Sequence, residues 1–137
     1  MIYITRRERF SAAHKLYKEE WSMERNLEVF GNCSNPNWHG HNYELFVTVK
    51  GDVNPETGFV IDLKIMKAII VKHVIDKLDH KNINLDVDFM SGKMASTEVI
   101  AIEIFNVLQP LFEQENVQLH CVKVHETENN SVEYFGK

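Results

Sequence analysis

Cysteine, proline, long apolar runs and excess positive charge are all scarce in this chain, and each scarcity excludes something. Two cysteines in 137 residues, Cys33 and Cys121, are too few for a disulfide framework, and both read as reduced thiols. No apolar stretch approaches the ~20 residues of a membrane span. The opening MIYITRRERF also lacks the basic-then-apolar layout of a secretory signal, so the expected location is the cytoplasm. Three prolines, no Gly/Ser-rich linker and no internal repeat leave residues 1–137 as one expected domain. Fifteen Lys and Arg against twenty Asp and Glu give a formal net charge of −5, which argues against a nucleic-acid-binding surface spread over the molecule.

What is present is enough apolar residue, 44%, for one ordinary core. Residues 2 to 10 mix β-branched and aromatic types and predict a strand. The segment from Lys15 to Gly40 carries Asn26, Gly31, Asn32, Ser34, Asn35, Pro36 and Asn37 with little periodicity and reads as a long loop, a feature that is usually functional inside a domain. From Asn42 to Lys50 the alternation of Tyr43, Leu45, Val47 and Val49 with polar neighbours predicts a half-buried strand.

Asp62 stands as N-cap to a helix whose stripe is Leu63, Met66, Ile70, Val74 and Leu78. Ser96 or Thr97 caps a second helix with Ile100, Ile104, Val107, Leu108 and Leu111 as its stripe, and Pro110 predicts a kink near its end. Residues 118–126 and 131–135 read as closing strands. The order β-β-α-α-β-β predicts an α+β fold, an antiparallel sheet with two helices on one face.

Of seven histidines, His39 and His41 flank a single glycine. In extended backbone their imidazoles share a face and can reach one metal ion. A pairing of the first two strands brings His14 to them, and three neutral imidazoles with one open position form a catalytic zinc arrangement. By spacing alone, the less favoured alternative for H-G-H is a polar loop end with no metal, and a lone His14 is more often a surface or satisfied residue than a ligand. Cys33, six residues before His39, lies close enough to act as a base beside a dication; the alternative is an inert small residue. The adjacent Asp79 and His80 can orient one another or relay a proton, although exposure alone explains such a dipeptide. Glu98 complements a helix dipole, Glu126 reads as a strand-end carboxylate, and Cys121 looks structural.

Taken together, S-A-A-H at 11–14, F-G-N-C-S-N-P-N-W-H-G-H-N-Y at 30–43, L-D-H-K-N at 78–82, S-T-E at 96–98 and H-E-T at 125–127 resemble the 6-pyruvoyl-tetrahydropterin synthase family. The resemblance runs in order through nearly the whole chain. It implies a T-fold (tunnelling fold) assembling as a homohexamer of two stacked trimers, with Zn²⁺ held by His14, His39 and His41. It also implies Cys33 as the proton-abstracting base, helped by Asp79 and His80, and a pterin pocket formed by Ser96, Thr97, Glu98 and Glu126, with Glu126 anchoring the ring.

The implied activity is a lyase reaction converting 7,8-dihydroneopterin triphosphate to 6-pyruvoyl-tetrahydropterin. Such a substrate needs local basic residues, to be found among Arg6, Arg7, Arg9, Lys15 and Lys81. The alternatives are 6-carboxy-tetrahydropterin synthase of queuosine biosynthesis, which starts from the same substrate and releases acetaldehyde, and a non-catalytic zinc- or pterin-binding module. The five residues Ser34–Trp38 between Cys33 and His39 favour the pyruvoyl enzyme. One departure from the family pattern is Trp38, where glycine is expected.

Overall fold

The computed structural model describes residues 1–137. Strand β1 (Ile2–His14) pairs antiparallel with β2 (His39–Gly51) along its full length, in a register running from Ile2↔Gly51 to His14↔His39. Polar pairs on the outer face hold that register. Thr5 and Thr48 share a hydroxyl–hydroxyl bond of 2.7 Å, Arg7 Nε donates to Glu44 at 2.6 Å, and Ser11 Oγ donates to Asn42 Oδ1 at 2.7 Å. Both strands extend past their predicted ends, so His14 and His39 lie inside the ladder rather than beyond it. Backbone pairing carries a strand across polar residues wherever a partner strand is opposite, and side-chain alternation does not register that.

Between these strands the predicted loop contains helix α1 (Met23–Phe30) and a 3₁₀ turn (Gly31–Ser34). Ser22 caps α1 by accepting from the Arg25 N–H at 3.0 Å, and Gly31 ends it with φ +58°, which glycine adopts without a Cβ penalty. Its buried residue is polar. Asn26 Oδ1 accepts from the Lys18 N–H at 2.7 Å, and Nδ2 donates to the carbonyls of Lys18 and Ser22 at 2.9 and 3.1 Å. Met23, Leu27 and Phe30 do recur at helical spacing along α1, but Met23 and Leu27 are exposed and the buried anchor is the amide; eight residues make too short a pattern to stand out in an Asn- and Gly-rich segment.

After β2, Asp62 caps α2 (Leu63–Ile70) as expected, accepting from the Lys64 N–H at 2.8 Å. The helical run continues through a π turn (Val71–Ile75) into α3 (Asp76–Leu78). There follow β3 (Lys81–Asn82), α4 (Ile83–Asp86), a 3₁₀ turn (Asp88–Met90), α5 (Thr97–Glu113), β4 (Gln118–Thr127) and β5 (Asn130–Tyr134). Helix α5 runs on through exposed Pro110 to Glu113.

The sheet order is β3-β1-β2-β4-β5. It corrects the all-antiparallel expectation in one place, because the short β3 pairs parallel with β1 at Ala12↔Lys81 and Ala13↔Asn82. Two backbone pairs at the end of a helical run leave no alternation to read. One cluster of 26 buried apolar residues lies between the sheet and the helices. Tyr43, Leu45, Val47, Val49, Val122 and Val124 come from the sheet; Met66, Ile70, Val74 and Leu78 from the α2–α3 run; and Ile100, Ile104, Leu108 and Phe112 from α5. The two principal helices therefore cover one sheet face, as predicted.

Candidate active site

The register of β1 on β2 builds the site. Residues directly opposite in an antiparallel pair point to the same side. His14↔His39 and Ala12↔His41 therefore place three imidazoles on the core face, where the apolar layer ends. Their ring centroids lie 4.5 Å (His14–His39), 5.1 Å (His14–His41) and 5.0 Å (His39–His41) apart. One nitrogen from each falls within 4.8 Å of the others.

His14 is 1% exposed, and its Nδ1 lies 2.7 Å from the Ala95 carbonyl oxygen. A carbonyl only accepts, so Nδ1 carries the proton and Nε2 presents its lone pair. His14 Nε2, His39 Nδ1 and His41 Nε2 are buried without a hydrogen-bond partner. Burial lowers the pKa of His14 and of His39, and the neighbouring imidazoles lower both further. Neutral imidazoles with unpartnered buried nitrogens are the donor set a transition-metal ion requires, so these residues fit the ion the histidine pattern implies.

Beside them stands Glu126 from β4. Thr97 Oγ1, at the start of α5, donates to Glu126 Oε2 at 2.5 Å, and Glu126 Oε1 lies 3.7 Å from His41 Nε2. Ser96 caps α5, its Oγ accepting from the Val99 N–H at 3.3 Å. Thr97 thus orients the carboxylate and Ser96 starts the helix that carries Thr97. Glu98 is exposed on the first turn of the same helix.

Cys33 sits half-buried in the 3₁₀ turn as a free thiol. Its carbonyl accepts from the Leu16 N–H at 2.7 Å, tying the turn to the chain just beyond His14. Asp79 and His80 do pair, His80 Nδ1 lying 3.0 Å from Asp79 Oδ2. Asp79 Oδ1 accepts the Ser11 N–H at 2.9 Å, and the His80 N–H donates to the Ser11 carbonyl at 2.6 Å. The Ser11 N–H, with His80 adding to it, holds the Asp79 carboxyl below its ordinary value. These contacts lock the pair to the β1 edge facing away from β2, where the His80 side chain is 84% exposed. The two residues make no hydrogen bond to Cys33, Glu126 or the three histidines; His80 and His41 line a common groove of about 480 Å³.

Trp38 adopts φ +63°, a left-handed conformation natural for glycine and strained for a tryptophan. The Lys15 ammonium lies over its ring at 4.5 Å and over that of Tyr17 at 4.7 Å. Two neighbours of the histidines were given no part in the site by the sequence. The Ala95 carbonyl carries no side-chain signal at all. Tyr43, by contrast, continues the alternation His39, His41, Tyr43 on one face of β2 and was legible in principle, but it counted only as core.

Comparison with known proteins agrees with this geometry. The family model described as 6-pyruvoyl tetrahydropterin synthase matches residues 3–137. The human 6-pyruvoyl tetrahydrobiopterin synthase is 42% identical over 134 residues, covering 98% of this chain and 91% of the relative. The solved structure of the Caenorhabditis elegans 6-pyruvoyl tetrahydropterin synthase superposes with a TM-score of 0.91 at 37% identity, covering 99% of this chain and 96% of that one. A more distant relative, the 6-carboxy-5,6,7,8-tetrahydropterin synthase of Synechocystis, is 32% identical over 131 residues, 93% of this chain and 88% of the relative. Fold and site together define an α+β lyase of the T-fold class with a three-histidine metal pocket. Within that class, the chain belongs to the 6-pyruvoyl tetrahydropterin synthase family.

Proposed function

We propose that the chain converts 7,8-dihydroneopterin triphosphate to 6-pyruvoyl-tetrahydropterin and triphosphate. The observation that carries this reading is the meeting of three unpartnered imidazole nitrogens with the Thr97-held carboxylate of Glu126, in a chain 42% identical to a 6-pyruvoyl tetrahydrobiopterin synthase. Glu126 would accept the adjacent N–H donors of the amino-pyrimidine edge, with Thr97 fixing its orientation. Ser96 supports that arrangement through the helix it caps, and Glu98 borders the same helix end. His14, His39 and His41 would hold Zn²⁺, which acts as a Lewis acid on oxygens of the substrate side chain when bound.

Cys33 is assigned the removal of a carbon-bound proton, and Asp79 with His80 the relay that returns it. Triphosphate leaves, the side chain becomes a diketone and the ring becomes tetrahydro, an internal redox rearrangement that balances without an external electron carrier. Of the basic residues near the site, Arg6 is paired with Glu8 and Arg7 with Glu44. Arg9, Lys15 and Lys81 have no carboxylate partner within the chain, which favours them for the triphosphate.

A homohexamer of stacked trimers in the cytoplasm completes the proposal. The outer edge of β5 is unpaired within the chain and supports assembly through the sheet; no helix is long and apolar enough to cross a membrane. Asp79 and His80, turned outward at the β1 edge, would then work across a subunit boundary.

The likeness to the Synechocystis enzyme supports a second reading, a 6-carboxy product with release of acetaldehyde. One experiment separates the two: zinc-loaded protein is incubated with 7,8-dihydroneopterin triphosphate, and products are identified by mass spectrometry with an acetaldehyde trap. Triphosphate and a pyruvoyl pterin without acetaldehyde support the first reading. Acetaldehyde with a carboxy pterin replaces it, and zinc-loaded protein with no turnover points to a binding module.

A further inference from the structure

Four buried side-chain polar atoms in the chain lack a hydrogen-bond partner, and they belong to four neighbouring residues. Three are the imidazole nitrogens of His14, His39 and His41; the fourth is the hydroxyl of Tyr43. Tyr43 is 0% exposed and follows His39 and His41 on the core face of β2. Its ring stands edge-on to both flanking imidazoles, with centroids 5.6 Å from His41 at 75° and 6.0 Å from His14 at 80°. Within the fold, then, the Tyr43 ring belongs to the histidine cluster, and its hydroxyl joins no other polar network.

Packing does not account for that oxygen. Phe10, directly opposite Tyr43 in the β1–β2 register, stacks on it at 4.7 Å and 12° and shows that a plain phenyl suits this layer. Leaving a buried hydroxyl unpaired is destabilising, and phenylalanine fills nearly the same volume without the penalty. Glu126 has acceptor sites to spare beyond the one Thr97 Oγ1 occupies, but neither of its oxygens bonds the Tyr43 hydroxyl. Nothing in the chain accepts from Tyr43, whose ring packs against two of the three imidazoles.

We infer that Tyr43 is a ligand-binding residue whose O–H donates to a hydroxyl or keto oxygen on the three-carbon side chain of a reduced pterin seated at the histidines. This rests on the pterin reading above and adds a residue that selects for an oxygen-bearing side chain over a plain alkyl one. A site built to pair with a ligand oxygen discriminates against an analogue lacking it, because the buried donor is then left unsatisfied.

The test compares zinc-loaded wild type with Tyr43→Phe by titration calorimetry against two probes, 7,8-dihydroneopterin and 6-methyl-7,8-dihydropterin, with metal content and metal-free melting temperature measured alongside. The expected result is about tenfold weaker binding of 7,8-dihydroneopterin, the size of one hydrogen bond. The methyl analogue should bind unchanged, zinc should stay stoichiometric, and the metal-free variant should melt no lower than wild type. Equal weakening of both probes, weakening of neither, or loss of zinc overturns the assignment. So does a lower metal-free melting temperature, since the hydroxyl would then have a partner within the fold. Wild type that binds neither probe overturns the pterin reading itself, and this assignment with it.

Discussion

His14 and His39 are register partners at the open end of the β1–β2 pair, with ring centroids 4.5 Å apart, although the whole segment from Lys15 to Trp38 lies between them in the chain. Their separation is therefore set by the sheet and not by the loop, and this makes the site's dependence on each imidazole testable.

His39→Ala should abolish stoichiometric zinc while leaving the fold intact, because two imidazoles rarely retain the ion. Metal analysis after gel filtration and far-UV circular dichroism check this together. Full occupancy in a folded variant would remove His39 from the ligand set.

Acid should weaken the metal-free protein in a defined window. Burial lowers the folded-state pKa of His14 and His39 below the ordinary 6.5, so below 6.5 the unfolded chain takes up protons that the folded chain refuses. Their contribution to stability is complete above 6.5 and declines as pH falls beneath it. Urea unfolding of metal-free protein between pH 7.5 and 5, compared with a His14→Gln/His39→Gln variant, should show a steeper decline in wild type; parallel curves would contradict it.

Cys33→Ala should keep zinc and bind 7,8-dihydroneopterin as well as wild type, yet lose turnover by about 10²-fold or more, the usual scale for removing a positioned base. Turnover within a factor of two of wild type would take Cys33 out of the mechanism.

Thr97→Val should weaken pterin binding by about tenfold, since it removes the hydroxyl that donates to Glu126 and keeps the residue's shape. Zinc content should not change. Unaltered affinity would show that Glu126 is held equally well without Thr97.

Asn26→Ala should cost ~1–3 kcal/mol, because it leaves the Lys18 N–H without its acceptor and removes the second donor from the Lys18 and Ser22 carbonyls, which keep the Trp21 and residue-26 N–H groups. Hydrogen exchange should accelerate across residues 18–30 first, with the β1–β2 ladder protected as before. Uniform acceleration through the sheet would mean that α1 is not locally organised by this amide.

How far the chain could be read depends on what kind of signal each element leaves. Helices α2 and α5 declare themselves through caps at Asp62 and Ser96 and through apolar stripes, since both depend on nearby residues alone. The core of β2 is legible for the same reason, as are His39 and His41, because alternation along one strand fixes which side chains share a face. Helix α1 left a cap at Ser22 and only two turns of apolar spacing, too short to separate from the surrounding polar segment, and β3 left no local pattern at all.

The sequence by itself thus determined the chemistry on offer: three imidazoles, a thiol, an acid–imidazole pair and a terminal carboxylate, each placed on or beside an element. Only the tertiary structure decided which of them meet. The pairing of β1 with β2 carries His14 to His39, the docking of α5 beside β4 sets Thr97 against Glu126, and the parallel contact of β3 with β1 turns Asp79 and His80 outward. It also left the buried Tyr43 hydroxyl without a partner, a fact no local pattern encodes. Whether a buried polar atom has a partner depends on atoms contributed from across the whole fold.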